Sequence, residues 1–282
     1  MSTSTPLGLC CGSLVQADFR GLAEAAGSAG FQSISLWPTL YQGGLDSGLS
    51  AQDMRNILDD NGLYISELDP LSSWLPTDLD PNDMAAVFHA FTEDDFYRIA
   101  DTLGGLTLNI IQQGKTSASD EQRLDLIRAL CDRAHSHQLK VSVEFLPWSD
   151  IGSLNQAQAL VASVAHPNFG INIDTWHHFR SGGTVEQLSQ VDPATIAAVQ
   201  FNDVAAQPWD SLLEETSMGR LLPGKGCSDS AAVYSALRGA GVGVPYNIEV
   251  FSAELMALPA AEAARQLAQS MNQVIQQAGQ VG

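Results

Sequence analysis

Eight short apolar runs alternate with amphipathic stretches along the whole chain, and this alternation restricts the available folds more than any other feature. The runs are L-G-L-C-C-G (7–12), S-I-S-L-W (33–37), Y-I-S-E-L (64–68), L-T-L-N-I-I (106–111), V-S-V-E-F-L (141–146), G-I-N-I-D (170–174), A-V-Q-F-N (198–202) and Y-N-I-E-V-F (246–251). Their length suits strands. Between them, apolar residues recur at helical spacing. D-F-R-G-L-A-E-A-A-G-S-A-G ends on a glycine stop, and 119–135 opens with Ser119 as a cap and acids in its first turn. Eight strand–helix units in 282 residues predict a single (β/α)₈ TIM barrel over 1–282. An open, doubly wound sheet would carry a glycine-rich phosphate turn after its first strand, whereas Gly12 is followed by S-L-V-Q-A-D. No linker or low-complexity segment divides the chain. The longest irregular piece, 69–91, comes after the third strand and is expected to form a lid or substrate wall.

Charge and cysteine usage narrow the partners. Lys and Arg total 13 against 32 Asp and Glu, a formal charge of −19. No basic run reverses that field locally, so nucleic acid is excluded as an expected partner. Cys10, Cys11, Cys131 and Cys227 have neither metal-type C-x-x-C nor disulfide-framework spacing and read as reduced thiols. No signal-like n-region and no membrane-length apolar stretch are present, so a soluble, cytoplasmic protein without membrane contact is expected. Barrels of this kind often pair; a homo-oligomer is compatible with the sequence, although no apolar stripe marks an interface.

In a barrel the chemistry gathers where strands end. Glu67 closes the third run, Glu144 lies in the fifth, Asp174 ends the sixth, Gln200 lies in the seventh and Glu249 in the eighth. An acid within an apolar strand is costly unless paired, hydrogen-bonded or bound to a cation. Separate ion pairs for each acid are the alternative, but only 13 basic residues exist in the chain. Converging carboxylate and carbonyl oxygens suit Mg²⁺ or Mn²⁺ better than a thiolate metal. Glu67 is expected either to read a substrate hydroxyl or to make a surface salt bridge. The tryptophans Trp37, Trp74, Trp148, Trp176 and Trp209 all fall at or after strand ends, where aromatic faces stack on ring-bearing ligands or simply cover the rim.

Taken together, E-F-L-P on the fifth strand, I-D-T-W-H on the sixth, V-Q-F-N-D on the seventh and N-I-E-V-F on the eighth resemble the xylose-isomerase-like TIM barrels. That group comprises sugar isomerases, epimerases and dehydratases. The segment G-R-L-L-P-G-K-G (219–226) resembles the family's arginine-plus-glycine loop. The resemblance implies Glu144, Asp174, Gln200 and Glu249 as divalent-metal ligands, His177 reaching the substrate and Arg220 binding its oxygens. Many members carry His where this chain has Gln200. Gln there resembles the branch containing bacterial 3-dehydroshikimate dehydratases, and a neutral oxygen favours Mg²⁺ or Mn²⁺ over Zn²⁺. The family's DNA-repair branch holds several zinc ions on many histidines; six His and an acidic surface do not match it.

A divalent cation beside a carbonyl acidifies the adjacent C–H, so that a carboxylate such as Glu144 or Glu249, with His177 assisting, can remove the proton. Return of the proton gives an epimer or an isomer, whereas loss of a β-hydroxyl gives an enone. The expected activity is therefore isomerisation or epimerisation of a keto sugar or cyclic polyol. Dehydration of a cyclic keto acid or inosose is the alternative, and a non-catalytic sugar-binding barrel the third reading. The fold alone does not separate them. Other polar residues are expected to have lesser roles. Asp203 would support the site or cap the next segment, Arg180 would bind a substrate oxygen or sit at the rim, and His178 would pack or face solvent. Lys225 can reach inward but is exposed by default, and His89 and His166 face solvent or cap.

Overall fold

The strand-sized runs become eight parallel strands: β1 (Leu7–Cys10), β2 (Ser33–Leu36), β3 (Tyr64–Leu71), β4 (Thr107–Ile110), β5 (Lys140–Glu144), β6 (Phe169–Asp174), β7 (Ile196–Phe201) and β8 (Tyr246–Ile248). They close in sequence order, β8 pairing back onto β1 through Leu9 and Ile248. This is a computed structural model, which describes residues 5–77 and 86–281. Part of the expected lid at 69–91 lies outside the described residues. Of the remainder, β3 claims as far as Leu71 and a short helix spans Ala86–His89. No helix among the described residues is long and apolar enough to cross a membrane.

Period-two alternation in the strands sorts their side chains into two environments. Leu9, Ile34, Ile65, Val141, Ile171, Val199 and Ile248 are buried in the apolar layer between sheet and helices. Their neighbours Ser33, Ser35, Asn109, Ser142, Asn172, Gln200 and Asn247 are buried too, but are small or polar. Barrel interiors are more often filled with branched aliphatics; here the apolar core lies outside the sheet and carboxamides and acids pair in the centre, while the Ser33 and Ser35 hydroxyls have no partner among the described residues. Burying so many polar groups is tolerable only when they satisfy one another.

The outer helices start and stop where the sequence directs. Ser119 accepts from the Gln122 amide and Gln122 returns the bond, a capping box for the helix Asp120–Ser136. Gly30 ends the helix Phe19–Ala29 in the left-handed conformation, at φ 87°. That helix packs on the C-terminal helix Ala260–Val281, closing the ring of helices as β1 and β8 close the sheet.

Two local features set the interior. Between β2 and β3 the register slips, Ile34 facing Ile65 while Ser35 faces Glu67, so that Ser66 is the extra residue of a bulge. Ser66 Oγ then donates to Asn247 Oδ1 at 2.7 Å across the barrel. Gly8 provides the room: a Cβ there would sit 2.0 Å from Asn247 Oδ1 and 2.6 Å from Ser33 Oγ. Gly8→Ala is accordingly expected to displace Asn247 and cost about 1–3 kcal/mol. Chemical denaturation checks this, and an unchanged midpoint would contradict the packing described.

Candidate active site

The site is a ring of polar side chains at the C-terminal ends of the strands, standing on a floor of amides. Glu67 forms that floor. It lies mid-strand in β3 and is 0% exposed. Asn172 Nδ2 donates to its Oε1 at 2.9 Å, and Asn247 Nδ2 (3.0 Å) and Gln200 Nε2 (3.4 Å) donate to Oε2. This corrects the expectation of a strand-terminal residue reading substrate or making a surface salt bridge. The bulge at Ser66 pulls Glu67 into the centre, where carboxamides replace a cation as its partners. Burial first, then Asp69 and Glu144, pushes its carboxyl well above the ordinary range.

Above the floor, Asp174 caps the short helix Thr175–Arg180, its Oδ1 accepting from the His177 amide at 2.9 Å. Asn202 Nδ2 (3.0 Å) and Arg220 Nη1 (2.7 Å) donate to its Oδ2. The same Nη1 reaches Glu249 Oε2 at 2.7 Å. Glu249 Oε1 accepts from Cys10 Sγ at 2.9 Å and from Gln200 Nε2 at 3.2 Å. Glu144 Oε2 accepts from Asn109 Nδ2 at 2.8 Å, and its Oε1 lies 3.2 Å from His177 Nε2.

One guanidinium does not keep all these acids ionised. Burial would raise the Asp174 carboxyl, but Arg220 and His177 outweigh it and hold it below the ordinary range. For Glu249 burial wins, opposed by Arg220 and reinforced by Asp174, Glu144 and Asp69, so its carboxyl is pushed well up. Arg220 is buried, and although burial lowers its affinity for a proton, Asp174, Glu249 and Glu144 raise it further. Its place is fixed by the loop after β7. Leu221 exchanges backbone hydrogen bonds with Asp203 at 2.9 and 3.0 Å. The Asp203 carboxylate accepts from the amides of Gly224, Gly226 and Ser228 and from Ser230 Oγ. A Cβ on Gly226 would come within 2.3 Å of Val204 O, which accounts for glycine in P-G-K-G.

The expected residues thus meet, with three differences in role. Glu144, Asp174 and His177 offer ligand atoms within 4.8 Å of one another, placing His177 among the groups able to hold a cation. Arg220 is engaged with two acids of the ring itself. Of the tryptophans, Trp176 is 0% exposed behind Arg220 and His177, and Trp74 is buried with Nε1 bound to Ile111 O at 2.8 Å. These two are packing, contrary to the expected pocket wall: apolar area is best hidden where a helix and loop can cover it. Trp148, edge-on to His177 at 5.4 Å, and Trp37 stay at the mouth, while Trp209 is largely exposed. Arg180 pairs with Glu215, and His178 Nε2 meets Thr184 O at 2.9 Å, its imidazolium disfavoured by burial.

Sequence reading missed Asp69 and Asn109. Asn109 Nδ2 donates both to Glu144 and, at 2.7 Å, to Asp69 Oδ1; Trp37 Nε1 reaches Asp69 Oδ2 at 3.3 Å. Asn109 in L-T-L-N-I-I breaks an apolar run as Glu144 does, a signal that polar alternation would have shown.

The donor set suits a hard divalent cation on a structural ground. Gln200 spends its Nε2 on Glu67 and Glu249 and leaves Oε1 buried with no hydrogen-bond partner among the described residues. An unsatisfied buried acceptor is costly, and a cation shared with Glu144, Asp174 and Glu249 would satisfy it.

Comparison with known proteins agrees with this architecture. A family model described as xylose isomerase-like TIM barrel matches residues 23–274. An inosose isomerase of Bacillus subtilis is 30% identical over 142 residues, 50% of this chain and 50% of that protein. A 3-dehydroshikimate dehydratase of Pseudomonas putida is 25% identical over 247 residues, 84% of this chain and 36% of that one. The chain spans about half the length of the inosose isomerases it matches. Among solved structures, the IolI protein with a bound zinc atom superimposes with a TM-score of 0.82 at 20% identity, over 96% of this chain and 98% of that one.

The acid-rich ring gives stability a pH dependence. Burial and Glu144 raise Asp69 from 3.8 to about 7. Between those values the folded protein holds a proton that the unfolded chain has lost, so this contribution is greatest below 3.8 and declines as pH rises to about 7. In chelator-treated protein, Asp69→Asn is expected to flatten the fall of the denaturation midpoint over that range; an identical slope would contradict the assignment.

Proposed function

The chain belongs to the xylose isomerase-like TIM barrel family, and we propose that it is a divalent-metal-dependent isomerase or epimerase of a keto sugar or related cyclic polyol. The observation that carries this reading is the convergence of Glu144, Asp174, Gln200 and Glu249 from consecutive strands, with the Gln200 carbonyl oxygen unpaired among the described residues. Those four residues would hold the cation, Mg²⁺ or Mn²⁺ by the all-oxygen donor set. When bound, the cation supplies Lewis acidity that stabilises negative charge on a substrate oxygen.

The protein's own side chains do the rest. Glu144 and Glu249 are the carboxylates placed to exchange a proton at the carbon beside the substrate carbonyl. Asp174, held ionised by Arg220 and the His177 amide, anchors without taking part in proton transfer. His177 Nε2, between Glu144 and Arg220, is placed to donate to or accept from a substrate oxygen. Trp148 and Trp37 bound the mouth and exclude water from the ring. The likeness to inosose isomerases supports a cyclic keto-polyol as substrate. Four free cysteines, three of them buried, fit a reducing cytoplasm.

A second reading is β-elimination from a cyclic keto substrate. It draws on Gln200 and on the likeness to a 3-dehydroshikimate dehydratase over 84% of this chain. The same residues would serve, with loss of a β-hydroxyl after proton removal.

The test is proton exchange in D₂O with an inosose, monitored by NMR after chelation and again after return of Mg²⁺ or Mn²⁺. Exchange is expected to return with the metal, without enone absorbance, and to fall by about 100-fold or more in Glu144→Gln and Glu249→Gln. Exchange that survives chelation, or full activity of Glu249→Gln, would contradict the proposal. Enone formation without exchange would support elimination instead.

A further inference from the structure

We infer that the site selects an uncharged, polyhydroxylated keto substrate and turns away carboxylate-bearing ones, with Asp69 as the residue that enforces the choice. The inference rests on the reading of this ring as a keto-polyol site and narrows its substrate class.

A buried site that takes a carboxylate needs a cation with free donors, preferably a guanidinium fork. Arg220 has no fork to give. Its Nη1 serves Asp174 and Glu249, its Nε serves Thr216 O at 2.9 Å, and its Nη2 faces Thr216 Oγ1 at 2.9 Å and His177 Nε2 at 3.3 Å. Four of the five N–H groups of a guanidinium are thereby taken, and the fifth faces the His177 ring. Arg180, the next basic side chain along the sixth strand's helix, is committed to Glu215 and to Ala205 O. Among the described residues, no lysine makes a hydrogen bond or ion pair with any member of the ring.

What the ring shows to solvent is acid. Glu144 is 7% exposed and Asp69 5%, more than Asp174, Glu249, Arg220 or His177. Asp69 is a built feature of the mouth. Its two oxygens are aimed by Asn109 Nδ2 and Trp37 Nε1, both neutral donors, and among the described residues no basic side chain makes a hydrogen bond or ion pair with it. Asn109 ties it to Glu144, so the two carboxylates are set side by side. A cation held by Glu144, Asp174, Gln200 and Glu249 would leave Asp69 outside its ligand set, as a carboxylate of the mouth. Carboxylates arrayed in this way accept hydrogen bonds from hydroxyls and repel an anionic ring, a repulsive element of the kind that makes a site specific.

The test is calorimetric binding to the Mn²⁺-loaded protein at mildly alkaline pH. It uses two rings of similar size, a neutral inosose and the carboxylate-bearing 3-dehydroshikimate. The wild type is expected to prefer the neutral ring by about 100-fold or more, the scale of one like-charge contact in a dry site. Asp69→Asn is expected to shrink that preference at least tenfold, chiefly by improving binding of the carboxylate. Equal affinity of the wild type for both rings would overturn the inference while leaving the proposed chemistry standing. An unchanged preference in Asp69→Asn, with thermal melting confirming the fold, would overturn the role of Asp69. Binding of neither ring would overturn the proposed function itself, and this inference with it.

Discussion

Arg220 donates one nitrogen to both Asp174 and Glu249 at 2.7 Å, and it does so inside a barrel that also buries Glu67, Asp69 and Glu144. The electrostatics of the molecule derive from this imbalance. A buried charge without a partner costs several kcal/mol, and one guanidinium cannot compensate a ring of carboxyls. The protein divides the burden: Asp174 stays ionised, while Glu67, Asp69 and Glu249 are driven toward their neutral forms. A divalent cation would relieve the same imbalance, which gives its binding a physical motive independent of any relative.

Neutral partners make the arrangement possible. Asn172, Asn247 and Gln200 hold Glu67, and Asn109 holds Asp69 and Glu144. Such a network orients the ring at the expense of the apolar interior layers that usually stabilise barrels, and moves the hydrophobic core to the sheet–helix interface. Gly8 and the bulge at Ser66 are the backbone conditions for it. On the far side, the Asp203 nest of amides fixes the loop that carries Arg220, so floor and cation are set by separate, rigid supports.

The barrel was legible because each strand run differed in period from the stretch after it; the observed strands begin and end within a few residues of the runs. Glu144, Asp174, Gln200 and Glu249 were legible for the opposite reason, as polar residues that violate an apolar strand. Glu67 violates its strand too, but whether it ends in solvent or at the barrel axis depends on a one-residue bulge that no local pattern announces. Asn109 and Asn247 were less legible: each interrupts an apolar run as Glu144 does, but without the cost that a buried acid carries. For Trp176 and Trp74, stacking on a ligand and packing stayed open, because position along the chain says where a tryptophan stands, not whether a helix covers it.

The central claim is that Glu144, Asp174, Gln200 and Glu249 share one divalent cation. Anomalous diffraction at the manganese edge, from crystals soaked in Mn²⁺, tests it most directly. The account predicts one strong peak bounded by those four side chains, including the Gln200 Oε1 oxygen. No peak at the ring in saturating Mn²⁺ would contradict it.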